Sequence, residues 1–386
     1  MSSPSSPSFQ HLASELRLYC GQDSLAALAK ELKRSGCQRA VAVTGRSVSR
    51  SDAMDLLRGA LGAALVGESI SVRPNSPVTA VEDTARVLRE SGADAVIAIG
   101  GGSAAVTARA AAILLAEQRP AQALCTRRLE SGQFDSPRLD APKLPQFVVP
   151  TTPSTAFVKA GSAVHDDATH QRLALFDPKT RAKALFLHPA FLRTAPAELV
   201  LGATLNTLST AVEALESPRC DPVSEALLMQ SLRLVARHLG RMTPEDAASR
   251  ASLAVAAVLC GRGTEQSGGG LASVLAHAIG HRTQVSNGIV NAIVLPHTMR
   301  FNAPATQETT ARIAESISPR NAAGAADLLD ALLGTLEIPR RLRDIGVAEA
   351  DLDGIAQAAM GDWFISRAPR RVTSAAELRG VLDAAW

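Results

Sequence analysis

The sequence has few aromatic residues and no concentration of charge. Phe, Trp and Tyr make up 3% of its 386 residues, the formal net charge is +3, and lysine and arginine form no block. Proteins that bind nucleic acids or anionic membrane surfaces usually carry dense basic patches, so neither is predicted as a partner. The partner expected from this composition is a small-molecule substrate.

Long apolar runs and paired cysteines are also missing. No stretch approaches the ~20 apolar residues that cross a bilayer, and the opening MSSPSSPSFQ lacks the basic and apolar regions of a secretory signal. The five cysteines are scattered and without CxxC spacing, which argues against a disulfide framework and a thiolate metal site. These absences predict a cytoplasmic protein with reduced thiols.

A run of three glycines follows a short apolar segment at residues 95–99. The alanine-rich stretch after the glycines has the composition of a helix. Glycine lets the backbone approach a ligand closely, and the N–H groups at a helix N-terminus favour phosphate. We therefore predict that a dinucleotide's phosphate binds at Gly100, Gly101, Gly102 and Ser103. A plain strand-to-helix turn is the alternative, and the spaced GxGxxG fingerprint of an ordinary Rossmann domain is absent.

Strand and helix patterns alternate through the first half of the chain. Apolar runs typical of buried strands lie at residues 40–44, 63–66, 95–99 and 146–149. Such alternation indicates a largely parallel sheet with helices on both faces. From Pro189 onward, nearly every segment has helical spacing. The prediction is a flexible tail at 1–10, an α/β dinucleotide-binding domain at 11–188 and an all-α domain at 189–386.

Four motifs, in their order along the chain, resemble the iron-containing alcohol dehydrogenase superfamily. They are GGGS at 100–103, PTT at 150–152, NTLSTAVEAL at 206–215 and HAIGHRTQVSNGIVNAIVLPH at 277–297. Within the superfamily the chain is most similar to maleylacetate reductases, whose NPRPV ending resembles the APRRV near this C-terminus. The resemblance covers the whole length. It implies a dehydroquinate synthase-like fold, an oxidoreductase activity, and a homodimer with its active site in the cleft between the domains.

The resemblance also implies where a nicotinamide dinucleotide binds. It assigns the pyrophosphate to the glycine turn at 100–103, places Thr151 and Thr152 near the nicotinamide, and places the adenosine ribose at Thr44 and Gly45.

The superfamily's usual aspartate beside that ribose matches Gly45, so this chain has no carboxylate to repel a 2′-phosphate. Arg46 or Arg50 could pair with the phosphate, and Ser47 and Ser49 offer hydroxyl donors. NADPH is therefore predicted over NADH, and a solvated basic loop is the alternative.

Metal ligands of the superfamily are replaced in this sequence. Its dehydrogenases bind iron or zinc through an aspartate and three histidines, and the four matching positions here are Asn206, Thr210, Ser273 and Asn287. Amide and hydroxyl groups alone cannot replace carboxylate and imidazole, so no metal is predicted. The aspartate in the GGGSxxD motif of metal-dependent members is Val106 here, and maleylacetate reductases also lack it.

These replaced positions are candidates for a substrate pocket. Asn206 and Thr210 share a helical face and could bind a substrate carbonyl or carboxylate as neutral donors, or they could serve helix packing. Glu213 and Glu216 are interpreted as a structural or solvent-facing pair.

Two histidines remain near this pocket. His277 matches the histidine that the superfamily places near the nicotinamide, and His281 lies one helical step beyond it. A satisfied core histidine and a helix-end residue are their respective alternatives. His297, in the recurring LPH element, is as compatible with a structural role as with a functional one.

The resulting prediction is a metal-independent reductase. NADPH (or NADH) gives hydride to an enone-like or activated carbonyl compound, and His277 and His281 donate the proton. Two alternatives stay open at this point. One is a non-redox enzyme that uses the same histidines for elimination, isomerisation or cyclisation, and the other is a catalytically inactive homologue.

Overall fold

The computed structural model describes residues 8–129, 133–169, 171–280, 282–283, 285–318 and 324–386. They form two compact units. The α/β unit comprises Glu15–Val200 and Met242–Ala254, and the helical unit comprises residues 8–14, Leu201–Arg241 and Val255–Trp386. The division predicted at residues 10 and 188 remains a prediction. Within the described part of the chain, no helix combines the length and apolar character needed to cross a membrane.

A six-stranded parallel sheet forms the centre of the α/β unit, as predicted. The strands in the described part of the chain are β1 (Arg17–Cys20), β2 (Ala40–Val43), β3 (Leu65–Ser69), β4 (Ala95–Gly100), β5 (Arg127–Arg128), β6 (Phe134–Asp135), β7 (Gln146–Pro150), β8 (Gly161–Asp166), β9 (Gln171–Phe176) and β10 (Ala182–Leu187). The sheet order is β1-β10-β7-β4-β2-β3, and all its pairs are parallel. The pairs β5–β6 and β8–β9 form separate antiparallel ribbons.

Helices cover this sheet. They are α1 (Ser24–Arg34), α2 (Arg46–Ser49), α3 (Asp52–Leu61), α4 (Val78–Glu90), α5 (Gly102–Glu117), α6 (Ala121–Leu124) and α7 (Pro189–Thr194). Strands β2 and β4 are buried along their whole length, which explains their continuous Val, Ile and Ala sequence. Leu28 of α1 and Met54 of α3 pack with Ile97 of β4 in one core cluster.

The rest of the chain is mostly helical, as predicted. The helices are α8 (Ala197–Glu216), α9 (Pro222–His238), α10 (Ala247–Ser267), α11 (Leu271–Gly280), α12 (Asn287–Ile317), α13 (Ala325–Gly334), α14 (Leu352–Ala359) and α15 (Ala375–Ala385). Helix α12 is one run of 31 residues, and its helical geometry breaks at Thr306 (φ −130°, ψ 19°). Pro304 lies two residues before this break, consistent with the disruption that proline causes inside a helix.

Candidate active site

The turn between β4 and α5 packs tightly against the segment after β7. Gly100 has φ +145°, which side-chain-bearing residues rarely adopt. A Cβ on Gly101 would lie 2.8 Å from Thr152 Oγ1, and one on Gly102 would lie 2.8 Å from Ser154 Oγ. A side chain at either glycine would therefore force the Thr152 or Ser154 hydroxyl, or the turn itself, to move. Because α5 begins at Gly102, the turn also presents the start of a sixteen-residue helix, where an anion is favoured.

The threonines predicted near the nicotinamide lie beside this turn. Thr151 N–H donates to Gly100 O at 2.9 Å, and both Thr151 and Thr152 are buried. The carbonyl of Ser103 accepts a hydrogen bond from Ser76 Oγ at 3.1 Å. The structure thus brings the predicted residues at 100–103 and 151–152 together. It adds Ser154, which the sequence analysis did not single out.

The other predicted cofactor residues lie where β2 ends. Thr44 is fully buried, and its Oγ1 has no hydrogen-bond partner among the described residues. Gly45 precedes the first residue of α2, Arg46, whose side chain is exposed. A Cβ on Gly45 would make only an ordinary 3.6 Å contact with Val72 O, so packing within the protein does not require glycine here.

A carboxylate that the sequence analysis missed lies near the same loop. Ser49 Oγ donates to Glu68 Oε2 at 3.3 Å, and Arg58 binds both oxygens of Glu68, at 2.7 and 2.8 Å. These hydrogen bonds, chiefly that from Arg58, hold the pKa of Glu68 below its ordinary value. The Ser49 hydroxyl, expected to serve a phosphate, is therefore already bonded to a carboxylate.

In the helical unit, α8 and α12 approach closely through glycine. A Cβ on Gly288 would lie 1.8 Å from Gly202 O, a distance that no side chain can occupy. Near this contact Asn206 Oδ1 accepts a hydrogen bond from Asn291 Nδ2 at 3.1 Å. Thr210 Oγ1 donates to Asn206 O at 2.7 Å, within its own helix. The pair predicted to share a helical face does so, and both residues also take part in local packing.

Ser273 and Glu213 join the start of α11 to α8. Ser273 donates from its backbone N–H and from Oγ to the two carboxylate oxygens of Glu213, each at 2.7 Å. Gly270 leaves room for this carboxylate, because a Cβ there would lie 3.0 Å from Glu213 Cβ. Glu213 thereby supplies the acceptor that the first N–H groups of α11 need.

The solvent-facing interpretation of Glu213 and Glu216 is wrong, because both side chains are buried within the helical unit. Burial raises the pKa of Glu213 to about 7 and that of Glu216 to about 8. Asn302 Nδ2 donates to Glu216 Oε2 at 2.8 Å, while Oε1 has no partner in the described part of the chain. The pair is therefore a buried polar feature.

His277, near the end of α11, contacts a carboxylate from the C-terminal part of the chain. Its Nδ1 lies 2.8 Å from Asp362 Oδ2, and the other oxygen, Asp362 Oδ1, accepts the N–H of Phe364 at 2.8 Å. The Phe364 ring lies against the imidazole, with ring centroids 6.0 Å apart. His277 is 23% exposed, so part of the ring faces open space. Asp362 was not found from the sequence.

The remaining predicted residues are His281, Asn287 and His297. His281 lies outside the described residues. Asn287 begins α12, and its Oδ1 would lie 3.2 Å from a Cβ on Gly280. His297 lines a cavity of about 390 Å³ with Arg300, Phe301 and Arg370. None of the other predicted site residues lines that cavity, and burial lowers the pKa of His297.

The side chains at the positions that match the superfamily's metal ligands do not fit a transition metal. The hydroxyls of Thr210 and Ser273 donate to Asn206 O and Glu213, and Asn206 Oδ1 accepts from Asn291. Iron and zinc prefer deprotonated carboxylate, thiolate or neutral imidazole. Within the described ranges, no three or more His, Cys, Asp or Glu side chains are grouped to hold a metal ion.

Comparison with known proteins gives matches along almost the whole chain. The iron-containing alcohol dehydrogenase model matches residues 16–189, and the model of the C-terminal domain of the Fe-containing alcohol dehydrogenase family matches 201–386. Lactaldehyde reductase of Escherichia coli K12 is 30% identical, with 92% of this chain and 94% of that protein covered.

Two solved structures have the same fold. Maleylacetate reductase from Agrobacterium tumefaciens has a TM-score of 0.81 at 23% identity, with 99% of each chain covered. Sulfoacetaldehyde reductase from Bifidobacterium kashiwanohense, in complex with NAD⁺, has a TM-score of 0.87 at 17% identity, with 98% of this chain and 99% of that chain covered.

Proposed function

Because the chain belongs to the iron-containing alcohol dehydrogenase family of oxidoreductases, we propose that it reduces an enone-like or activated carbonyl compound with a nicotinamide cofactor and without a bound metal. The observation that carries this proposal is the contact between His277 and Asp362 at 2.8 Å. It supports a role for His277 as the proton donor of the reaction.

Asp362 gives His277 a defined orientation and tautomer. Since one Asp362 oxygen is bonded to the Phe364 N–H, the other is fixed to accept Nδ1–H of the imidazole. The doubly protonated ring then donates the proton from Nε2 and returns to the tautomer in which Nδ1–H stays with Asp362. The same arrangement serves as general base in the reverse direction. His281 is proposed as a second donor.

The cofactor site is proposed on the α/β unit. The turn at 100–103 packs closely against Thr152 and Ser154 because its glycines carry no Cβ. This close packing supports a backbone cradle for the pyrophosphate. Thr151 and Thr152 are assigned to the nicotinamide side, and Thr44, Gly45 and Arg46 to the adenosine ribose. When bound, the dinucleotide supplies the hydride.

The donors in the proposed pocket support this substrate class. Reduction of a plain ketone builds up alkoxide charge, which a metal ion would stabilise strongly. The neutral groups at Asn206, Thr210, Ser273 and Asn287 offer only hydrogen bonds. An enone spreads the developing negative charge over a conjugated system. In an activated carbonyl compound, an electron-withdrawing neighbour stabilises that charge. Both substrates therefore need less charge stabilisation from the protein.

The test is rapid-mixing oxidation of NADPH and NADH by the purified protein with a panel of enones and aldehydes. We expect one nicotinamide oxidised per molecule of product, and a loss of about a hundredfold or more in kcat for His277→Ala. Product formation without nicotinamide oxidation would indicate non-redox chemistry instead. No turnover by protein that demonstrably binds the cofactor would contradict the proposal.

Two further properties are proposed, the homodimer on the family resemblance alone and the cytoplasmic location on the composition of the sequence. We propose a cytoplasmic homodimer. Light scattering should give twice the mass of the chain, and a strictly monomeric mass would contradict the dimer.

A further inference from the structure

We propose that Arg367 binds a carboxylate of the substrate, so that the enzyme acts on oxo acids in preference to uncharged carbonyl compounds. The inference rests on the proposed reductase function and adds the substrate's charge to it. The Arg367 guanidinium is partly buried and has no acidic partner among the described residues.

The Arg367 side chain is partly buried against the backbone and an aromatic ring. Its Nη1 donates to Ser267 O at 3.3 Å, and its guanidinium carbon lies 5.2 Å from the centroid of the Phe364 ring. Among the described residues it forms no ion pair, whereas Arg370 pairs with Glu377 and Arg379 with Asp353. Burial and the nearby charge of Arg219 lower the pKa of Arg367. A guanidinium stays charged even so, and a charge removed from water favours an anionic partner.

A second polar group is unsatisfied beside it. Ser267 is fully buried, and its Oγ has no hydrogen-bond partner in the described part of the chain. Its carbonyl is the group that binds Arg367. The Ser267 hydroxyl is enclosed by protein, so the group that can reach a substrate carboxylate is the guanidinium of Arg367, which is only partly buried.

Glycines make this arrangement possible. Gly268 has φ +72°, and a Cβ on it would lie 1.9 Å from Arg367 Nη1. A Cβ on Gly269 would lie 3.0 Å from the Phe364 ring. The Gly268–Gly270 turn before α11 therefore lets the arginine and the phenylalanine pack directly on the backbone.

Phe364 connects this arginine to the proposed proton donor. Its ring contacts the Arg367 guanidinium and the His277 imidazole, and Asp362, which binds His277, lies two residues earlier in the chain. Arg367 is thus placed to bind one end of a short substrate whose carbonyl lies at His277. A bidentate guanidinium–carboxylate pair would orient that substrate.

The kinetic test compares two aldehydes that differ in one terminal group, butanal and 4-oxobutanoate. Wild type should have a kcat/KM for 4-oxobutanoate about tenfold or more above that for butanal. Arg367→Gln should remove this ratio by raising KM for 4-oxobutanoate much more than KM for butanal, and Arg367→Lys should restore part of it. Arg371→Gln, which removes an exposed charge nearby, is the matched control and should behave as wild type.

A binding test keeps this inference separate from the reductase proposal. The Trp363 ring lies 5.5 Å from the Phe364 ring, so in a Trp386→Phe background its fluorescence can report ligand binding. Succinate, at constant ionic strength and with NADP⁺ present, should change the Trp363 signal in the Arg367-containing protein and not in Arg367→Gln.

Succinate binding that needs Arg367, without turnover of either aldehyde, would retain the carboxylate site and contradict the reductase function. Equal kcat/KM values for the two aldehydes in wild type, or equal decreases for both in Arg367→Gln, would contradict the carboxylate site and leave the reductase proposal intact. A weaker Kd for NADPH in Arg367→Gln, with the aldehyde ratio unchanged, would assign the arginine to a cofactor phosphate and also overturn the proposal.

Discussion

Ser273 donates both its backbone N–H and its hydroxyl to the Glu213 carboxylate, each at 2.7 Å. In metal-dependent enzymes that this chain resembles, a histidine ligand matches Ser273. Here the hydroxyl proton is bonded to a buried acid that belongs to α8. The contact fixes the start of α11, the helix that carries His277 near its other end.

The buried acids predict a dependence of stability on pH. Glu213 and Glu216 have pKa values raised from 4.5 to about 7 and about 8, so the folded protein binds more protons than the unfolded chain within this window. Their contribution to the free energy of unfolding should therefore fall as pH rises from about 4.5 to about 8, and stay constant above it.

Glu216→Gln tests this dependence, because the amide stays neutral. At about pH 9 the variant should exceed wild type in the free energy of unfolding by about 1–3 kcal/mol, and near pH 5 the two should differ little. Urea unfolding at several pH values measures the difference. Exposed Glu308→Gln is the control. A difference that does not change with pH would show that Glu216 is ionised in the folded state.

Asp362→Asn is expected to lower kcat with little change in KM. The amide can present either its oxygen or its NH₂ to His277, so the imidazole loses its fixed tautomer, and the loss should be about a hundredfold. The solvent deuterium isotope effect on kcat should rise, because proton transfer becomes more rate-limiting. Exposed Asp353→Asn is the control. Wild-type kcat in Asp362→Asn would remove Asp362 from the mechanism.

Much of the fold could be predicted from the sequence, because its signals are local. Strand β4, the glycine turn and α5 follow from one stretch in which period and composition change at Gly100. Asp362 could not be found in this way. It is 85 positions from His277, and no periodicity connects the two residues.

The contacts of buried carboxylates also could not be predicted from the neighbouring sequence. Glu213 lies on a helix that is buried on most of its surface, so its spacing alone could not distinguish an outward carboxylate from one that binds Ser273. Likewise, Ser49 faces Glu68 only because β3 lies beside β2 in the sheet.

Gly101→Ala should weaken cofactor binding. The added Cβ would lie 2.8 Å from Thr152 Oγ1, so the turn or the threonine must move. We expect the Kd for NADPH to rise about tenfold or more, since the phosphate-binding N–H groups move with the turn. Gly59→Ala has open space around it and is the control. An unchanged Kd would show that the turn does not bind the phosphate.

The protein should have no catalytic metal. Elemental analysis after purification without a metal-affinity tag should give iron and zinc well below one per chain, and chelators should leave activity unchanged. The reason is the donor set, in which the Ser273 and Thr210 hydroxyls are used within the protein. One tightly held metal per chain would contradict this prediction.

The choice between NADPH and NADH depends on the charges around the end of β2. Gly45 has space where a side chain would make only an ordinary contact, and Arg46 is exposed beside it. Glu68, the carboxylate near this loop, is bonded by Arg58 through both oxygens, which offsets its charge. The balance favours a 2′-phosphate, although Ser49 is not available as a free donor.

We therefore expect wild type to bind NADPH about tenfold or more tightly than NADH, because a guanidinium–phosphate pair is a strong charge-assisted interaction. Arg46→Ala should weaken NADPH binding and leave NADH binding unchanged. Arg89→Ala, which removes an exposed charge from α4 in the same unit, should change neither. The measurement is the ratio of the two dissociation constants at one fixed salt concentration, because exposed pairs are screened by salt. A wild type that binds NADH at least as tightly as NADPH would overturn the assignment. An Arg46→Ala variant that weakens both equally would place the arginine at a phosphate common to the two cofactors.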